Sequence, residues 1–212
     1  IKEITKMGRS IEFSLADYEF LKIIDELWEL PLPPYITEKL EDKSKYQTVY
    51  EKEKWSAAAP TAGLHFTKEL LEKLEKKWVI IEKVLLHVWV WTFKPVEVEN
   101  ILDHYMHKEF IKIEKDVADR LNNYKNSWKK IIAVWTTSVR TLESFSDKKW
   151  HIEFWHKDTD IFIYPGYEFM FVDGIITNFH LPCSTLLMLI SAFAWKNNID
   201  KVGEIFSWES QE

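Results

Sequence analysis

The chain has 212 residues, of which 46% are hydrophobic and 29% charged, with a net charge of −6 at pH 7. This is an ordinary globular composition, long enough for one sizeable domain or one domain plus a remnant of another. The acidic balance argues against sequence-independent binding to nucleic acid, which runs on phosphate neutralisation, and leaves room for a local basic face from Lys129, Lys130, Arg140, Lys148 and Lys149.

Residues 1–30 carry an alternating strand, Ser10 to Leu15, and then a helical stretch from Asp17 to Leu27. Pro31-Leu32-Pro33-Pro34-Tyr35 breaks regular structure, so 31–36 reads as a linker and 37–212 as the main domain. Thr67 is a good N-cap for a helix to about Lys77, with Leu70, Leu71 and Leu74 on one face. Val79 to Val90 reads as one long strand or two short ones, and His107 to Ile113 as another. Lys115 to Asn126 is helical, with Val117 and Leu121 facing inward. Ile131 to Val134 is a short apolar strand of the kind found in a sheet covered on both faces. Thr136 to Phe145 starts as a loop and continues as a helix. Asp160 to Tyr164 and Gly174 to Asn178 are further strands, and Ser184 caps an apolar helix running to about Ala194. The alternation predicts an α/β fold with a mostly parallel or mixed sheet.

The single cysteine, Cys183, excludes an internal disulfide framework and fits a reducing compartment. The longest apolar run, Leu186 to Trp195, is too short to span a bilayer, and no signal peptide is expected. The expectation is a cytoplasmic protein without membrane contact. The first residue is Ile1, so an incomplete N-terminus is expected.

Glycine and tryptophan are out of balance. The chain has 5 Gly and 11 Trp, where an average domain of this length carries roughly 15 Gly. Several tryptophans stand where glycine belongs. Trp78 follows the charged helix end Glu72 to Lys77, Trp128 sits in a polar turn, and Trp195 ends an apolar helix. A left-handed residue after a helix should lack a bulky side chain. These positions are expected to be glycine codons translated as tryptophan, for example UGA read under the wrong genetic code.

In α/β folds ligands bind beyond the carboxyl ends of strands. Five polar segments occupy such places: 59–67, 86–93, 134–143, 164–169 and 177–182. The first brings His65 to a helix start, the second holds His87, and the fifth holds Asn178 and His180. The third passes from strand to helix through Thr136, Thr137, Ser138 and Arg140, a set suited to phosphate or carboxylate. Each has a plainer explanation, as a helix cap, a turn or an aromatic packing site. On a shared helix face His104 and His107 would offer two metal ligands, but no third is evident, and no metal is expected.

The segments YQTVY (46–50), APTAGLHFT (59–67), LHVWVWTFKPV (86–96), HYMHKEF (104–110), AVWTTSVRTLES (133–144), TDIFIYPGYEF (159–169) and TNFHLPCSTLLMLISAFA (177–194) occur in one order. With them the chain resembles the S-adenosylmethionine:tRNA ribosyltransferase-isomerases of queuosine biosynthesis over about residues 29–195. The family pattern has glycine where this chain has Trp55, Trp78, Trp89, Trp91, Trp135 and Trp195. The resemblance implies an α/β-barrel-type main domain with a mixed sheet, in which residues 1–30 are the tail of an inserted small β-barrel. It also implies that the chain is part of a longer protein.

The activity implied is transfer and isomerisation of the ribosyl part of S-adenosylmethionine onto 7-aminomethyl-7-deazaguanine at the tRNA wobble position. Epoxyqueuosine forms, and adenine and methionine are released. S-adenosylmethionine is then a consumed substrate, with no cofactor, and the partner is the tRNA anticodon loop met by a monomer. The reaction needs a base near the sulfonium, for which the candidates are His180, His87 and His65 in that order. Arg140 is expected to hold a carboxylate or phosphate. Thr136, Thr137, Asn178 and Thr92 are expected to orient the donor, and Tyr164, Tyr167 and Phe179 to stack on a base. One alternative is a degenerate relative that binds S-adenosylmethionine or tRNA without catalysis. A methyltransferase is disfavoured because no G-x-G-x-x-G loop appears even with Trp read as Gly. A purely structural module leaves the polar strand ends unexplained.

Overall fold

A computed structural model describes residues 1–5, 8–27, 32, 42–51, 59–87, 98 and 100–209. The expected linker over 31–36 (Leu32 apart), the strand end over 88–90, and Trp55, Trp89, Trp91 and Thr92 lie outside the described residues. Two units are distinguished, Ile1–Pro31 and Leu32–Glu212.

In the first unit β1 (Glu3–Thr5) pairs antiparallel with β2 (Gly8–Ser10), Ile4 opposite Arg9. The strand expected over Ser10 to Leu15 therefore ends where it was meant to begin. Its alternating residues lead instead into α1 (Asp17–Leu27), with the Phe13 ring 4.5 Å from that of Phe20. Asp17 and Glu19 in the first turn of α1 complement its dipole.

In the second unit α2 (Lys68–Lys76) starts at Thr67, whose hydroxyl accepts the Leu70 N–H at 3.2 Å. Then follow β3 (Leu85–His87), β4 (Glu109–Ile113), α3 (Lys115–Asn126), β5 (Ile132–Val134), α4 (Thr136–Phe145), β6 (Trp155–Thr159), β7 (Gly174–Ile176), α5 (Thr185–Ala194) and α6 (Lys196–Glu209). β4 is the middle of an antiparallel sheet with β3 and β6, while β5 and β7 run parallel. The fold is thus mixed α/β, with antiparallel and parallel pairs; among the described residues the strands do not close into a barrel.

The core is apolar and tight. Ile111, Ile113, Val139, Phe145, Ile152 and Phe171 are each at most 4% exposed, so each is worth roughly 1.5–3 kcal/mol in burial. The strand expected over Asp160 to Tyr164 forms no ladder, although Ile163 is buried in the core. The ladder lies just before it in β6, whose exposed Trp-His-Lys-Asp stretch has no apolar alternation to reveal it. α4 begins directly at Thr136, without the loop expected there.

Several loops impose a backbone constraint. Trp78 N–H donates to the Glu75 carbonyl and Val79 N–H to that of Leu74; Trp128 and Lys129 repeat the pair on Lys125 and Tyr124. These are the bonds of a Schellman ending, whose C′ residue is left-handed. Trp78 and Trp128 have φ of 64° and 59°. Trp195, after α5, has φ 64° and ψ 133°, and Trp135, before α4, has φ 77° and ψ 148°. Trp150 (φ 59°) occupies the last loop position of the Asp147–His151 turn, where Trp150 N–H donates to the Asp147 carbonyl and Asp147 N–H to that of His151. A left-handed backbone costs a residue with a Cβ about 1–2 kcal/mol.

α4 carries a buried polar face. Thr136, Arg140 and Glu143, spaced four and three apart, are all at most 4% exposed. Arg140 forms an ion pair with Glu109 on β4 and donates to the Ile161 carbonyl at 3.4 Å. The Glu143 carboxylate accepts from the backbone N–H of Met170, Phe171 and Val172 at 2.9–3.0 Å and from the Tyr167 hydroxyl at 3.2 Å. One side chain thus shapes the whole 167–172 segment. Glu143→Ala strands several part-buried or buried donors, and urea unfolding is expected to show a loss of about 3 kcal/mol or more. Glu143→Gln, which keeps an acceptor, should lose about half as much. Equal, negligible losses for both would contradict the clamp.

Candidate functional site

β5 and β7 run side by side, and the Trp135 N–H extends their ladder by donating to the Ile176 carbonyl at 2.7 Å. Their carboxyl ends are therefore neighbours. One delivers Thr136 and Thr137, the other Thr177, Asn178, Phe179 and His180. Open ends of parallel strands are where α/β folds bind ligands, because the backbone leaves the sheet there and polar groups are free to converge.

Two pairs of side chains meet at the β7 end. His65 Nε2 lies 3.2 Å from Asn178 Oδ1, which joins the 61–65 turn to the strand end across 113 residues of sequence. Thr177 Oγ1 lies 3.0 Å from His180 Nε2. Gly63 makes the turn possible. A Cβ there would stand 1.9 Å from the Tyr50 hydroxyl oxygen and 3.0 Å from Thr48 Cγ2, so any side chain at this position would displace the Tyr50 ring from the turn.

The electrostatics separate these groups. Burial pushes His180 down to about 4, so at pH 7 the neutral imidazole predominates roughly a thousand to one. Burial also lowers Arg140 to about 10, against the opposing pull of the Asp160 charge, and it stays cationic at pH 7. At 3% exposure Arg140 adds nothing to a surface basic patch. Its charge is met by Glu109, while Nη2, like the fully buried Thr136 Oγ1, has no hydrogen-bond partner among the described residues. Tyr167 is raised above the usual phenol range, first by burial and then by the Glu143 charge.

The other expected residues are more scattered. His87 stands on β3, its ring 5.8 Å from that of Phe110. Tyr164 packs on Phe162 and Tyr167 on Phe169, at 5.2 and 5.1 Å. Phe179 is 67% exposed at the β7 end. Tyr167 lines a separate open groove of about 470 Å³ with Ser191, Trp195 and Lys196. His104 and His107 follow the turn Ile101–Asp103 in irregular chain, not on a helix. Among the described residues no three His, Cys, Asp or Glu are grouped to hold a metal ion, and no helix is long and apolar enough to cross a membrane.

Thr177 and Glu143 are the members that sequence reasoning did not single out. Glu143 was discoverable in one respect: it completes a polar stripe with Thr136 and Arg140 at helical spacing, where an amphipathic helix should show apolar residues.

His180 links folding to pH. Its folded value lies below the ordinary 6.5, so the unfolded chain binds the extra proton between the two values. Stability is full above pH 6.5 and is lost as pH falls through about 4. His180→Gln should flatten the fall in thermal midpoint between pH 7 and 4.5; an unchanged pH slope would show that His180 is not the group responsible.

Comparison with known proteins adds the ancestry. The chain matches a family described as queuosine biosynthesis protein over residues 1–204. It is 52% identical over 199 residues to an S-adenosylmethionine:tRNA ribosyltransferase-isomerase of Halothermothrix orenii, covering 94% of this chain and 58% of that protein. The namesake in Desulfitobacterium hafniense is 54% identical over 186 residues, covering 88% and 54%. A crystal structure of S-adenosylmethionine tRNA ribosyltransferase from Thermotoga maritima superposes with a TM-score of 0.53 at 41% identity, over 68% of this chain and 44% of that one. The chain thus spans a little over half the length of the curated relatives it matches. With the family match extending over nearly all its residues, the chain belongs to the queuosine biosynthesis protein family.

Proposed function

We propose that the chain is part of an S-adenosylmethionine:tRNA ribosyltransferase-isomerase and that the joined ends of β5 and β7 are its donor-handling site. The ribosyl part of S-adenosylmethionine passes to the aminomethyl group of a 7-deazaguanine at the wobble position. The ring rearranges to epoxyqueuosine, and adenine and methionine leave. The convergence of His65, Asn178, Thr177 and His180 at the C-terminal end of β7, beside that of the parallel β5, carries this reading. The named relatives, at 52–54% identity, supply the reaction.

The geometry favours a division of labour. A base with a pKa near 4 has little driving force at neutral pH, so His180 serves as a neutral hydrogen-bonding group. His65, oriented by Asn178 and exposed to solvent, takes the proton next to the sulfonium. Thr136 Oγ1 and Arg140 Nη2, buried on α4 and without a hydrogen-bond partner among the described residues, favour a donor bound against that helix; Thr137 and Thr92 would help orient it. Phe179 offers a ring for base stacking, as unpaired RNA bases require, with Tyr164 and Tyr167 further candidates and His87 a further acid–base candidate. S-adenosylmethionine is consumed, so neither a resident cofactor nor a metal is invoked. The partner is the anticodon loop, the enzyme acts as a monomer in the cytoplasm, and the whole-length protein completes the barrel to which these strands contribute.

The test uses the whole-length protein with S-adenosylmethionine and tRNA carrying the aminomethyl-deazaguanine. Adenine and methionine should appear in equal amounts. His65→Ala should lower kcat about 100-fold or more, and Asn178→Ala about tenfold through misorientation of the ring. Binding of S-adenosylmethionine without adenine release would overturn the reading in favour of a non-catalytic relative.

A further inference from the structure

We propose that Trp78, Trp128, Trp135, Trp150 and Trp195 stand at positions built for glycine, and that the natural polypeptide carries glycine at all five. Among the described residues six non-glycine residues have positive φ; five are these tryptophans and the sixth is Cys183. Chance does not gather one of the bulkiest side chains at the backbone positions least tolerant of any Cβ.

Each site demands glycine through its hydrogen bonds or its backbone angles. Trp78 and Trp128 are the C′ residues of Schellman endings. Trp150 takes the last position of a three-residue hairpin loop, a place where such loops call for a left-handed residue. This position is not evident from helix-end patterns, so it extends the substitution to a second kind of turn. Trp135 and Trp195 combine positive φ with extended ψ, at the edge of a region essentially reserved for glycine. Trp155 and Trp208 mark the contrast. They lie in β6 and α6, and Trp155 stacks on His156 at 5.1 Å.

The indoles return little for the strain. Trp78, Trp128 and Trp195 are 92%, 89% and 78% exposed. A docking surface made of indoles would need exposed rings but would ask nothing of φ, so it does not explain the backbone. The composition agrees: 5 Gly and 11 Trp together make about the number of glycines an average chain of this length carries. A glycine codon translated as tryptophan accounts for both observations.

Two measurements test this. The first compares thermal midpoints of the chain as written with Trp→Gly and Trp→Ala variants at the five positions. Each glycine should raise the midpoint by about 2–4 °C and all five together by about 10 °C or more. Alanine, which removes the indole but keeps the Cβ, should recover much less, and Trp155→Gly should lower the midpoint. Glycine no better than alanine would overturn the proposal. The second measurement does not depend on folding. Peptide mass spectrometry of the protein from its own cells should show glycine at residues 78, 128, 135, 150 and 195; tryptophan there would overturn it.

Discussion

The structure around the strand ends depends on how α4 is seated. Most surface helices pack through apolar stripes, but this one buries Thr136, Arg140 and Glu143 along one face. The Arg140–Glu109 pair fixes the helix to β4, and Glu143 collects the backbone donors of 170–172. A buried ion pair adds little net stability once desolvation is counted. Its use is positional: removing either partner leaves a charge stranded in the core, so the helix has one register. That register sets where Thr136 and Thr137 emerge beside β7.

From that seat the site follows by topology. β5 enters α4 without a loop, and β7 runs parallel to β5, so the groups leaving both strands face the same end. Asn178 then reaches back to His65 on the 61–65 turn, where Gly63 leaves room for the Tyr50 side chain. Segments more than a hundred residues apart in sequence are brought together by two short strands and one glycine.

Much of this was legible in the chain. Helices with capping hydroxyls, such as those after Thr67 and Ser184, were plain because the cap and the apolar period agree. The apolar β5 and the run into α4 were plain too. β6 was not, since an exposed strand of Trp, His, Lys and Asp has no period-two signal and is recognised only by its ladder with β4. The Ser10–Leu15 alternation misled for the opposite reason: a pattern suited to a strand was used to lead into α1. The polar strand ends could be located, but sequence alone could not show that His65 meets Asn178, or that burial makes His180 a poor base. Such facts depend on distance and desolvation, which have no local signature. The tryptophans form their own pattern, because helix-end chemistry marks three of the glycine positions in the sequence alone.

Hydrogen exchange on the whole-length protein, with and without S-adenosylmethionine, tests most directly where the donor binds. The account predicts slowed exchange at residues 61–65, 135–137 and 177–180. Protection confined to the groove at 165–168 and 195–197, with none at the ends of β5 and β7, would contradict it.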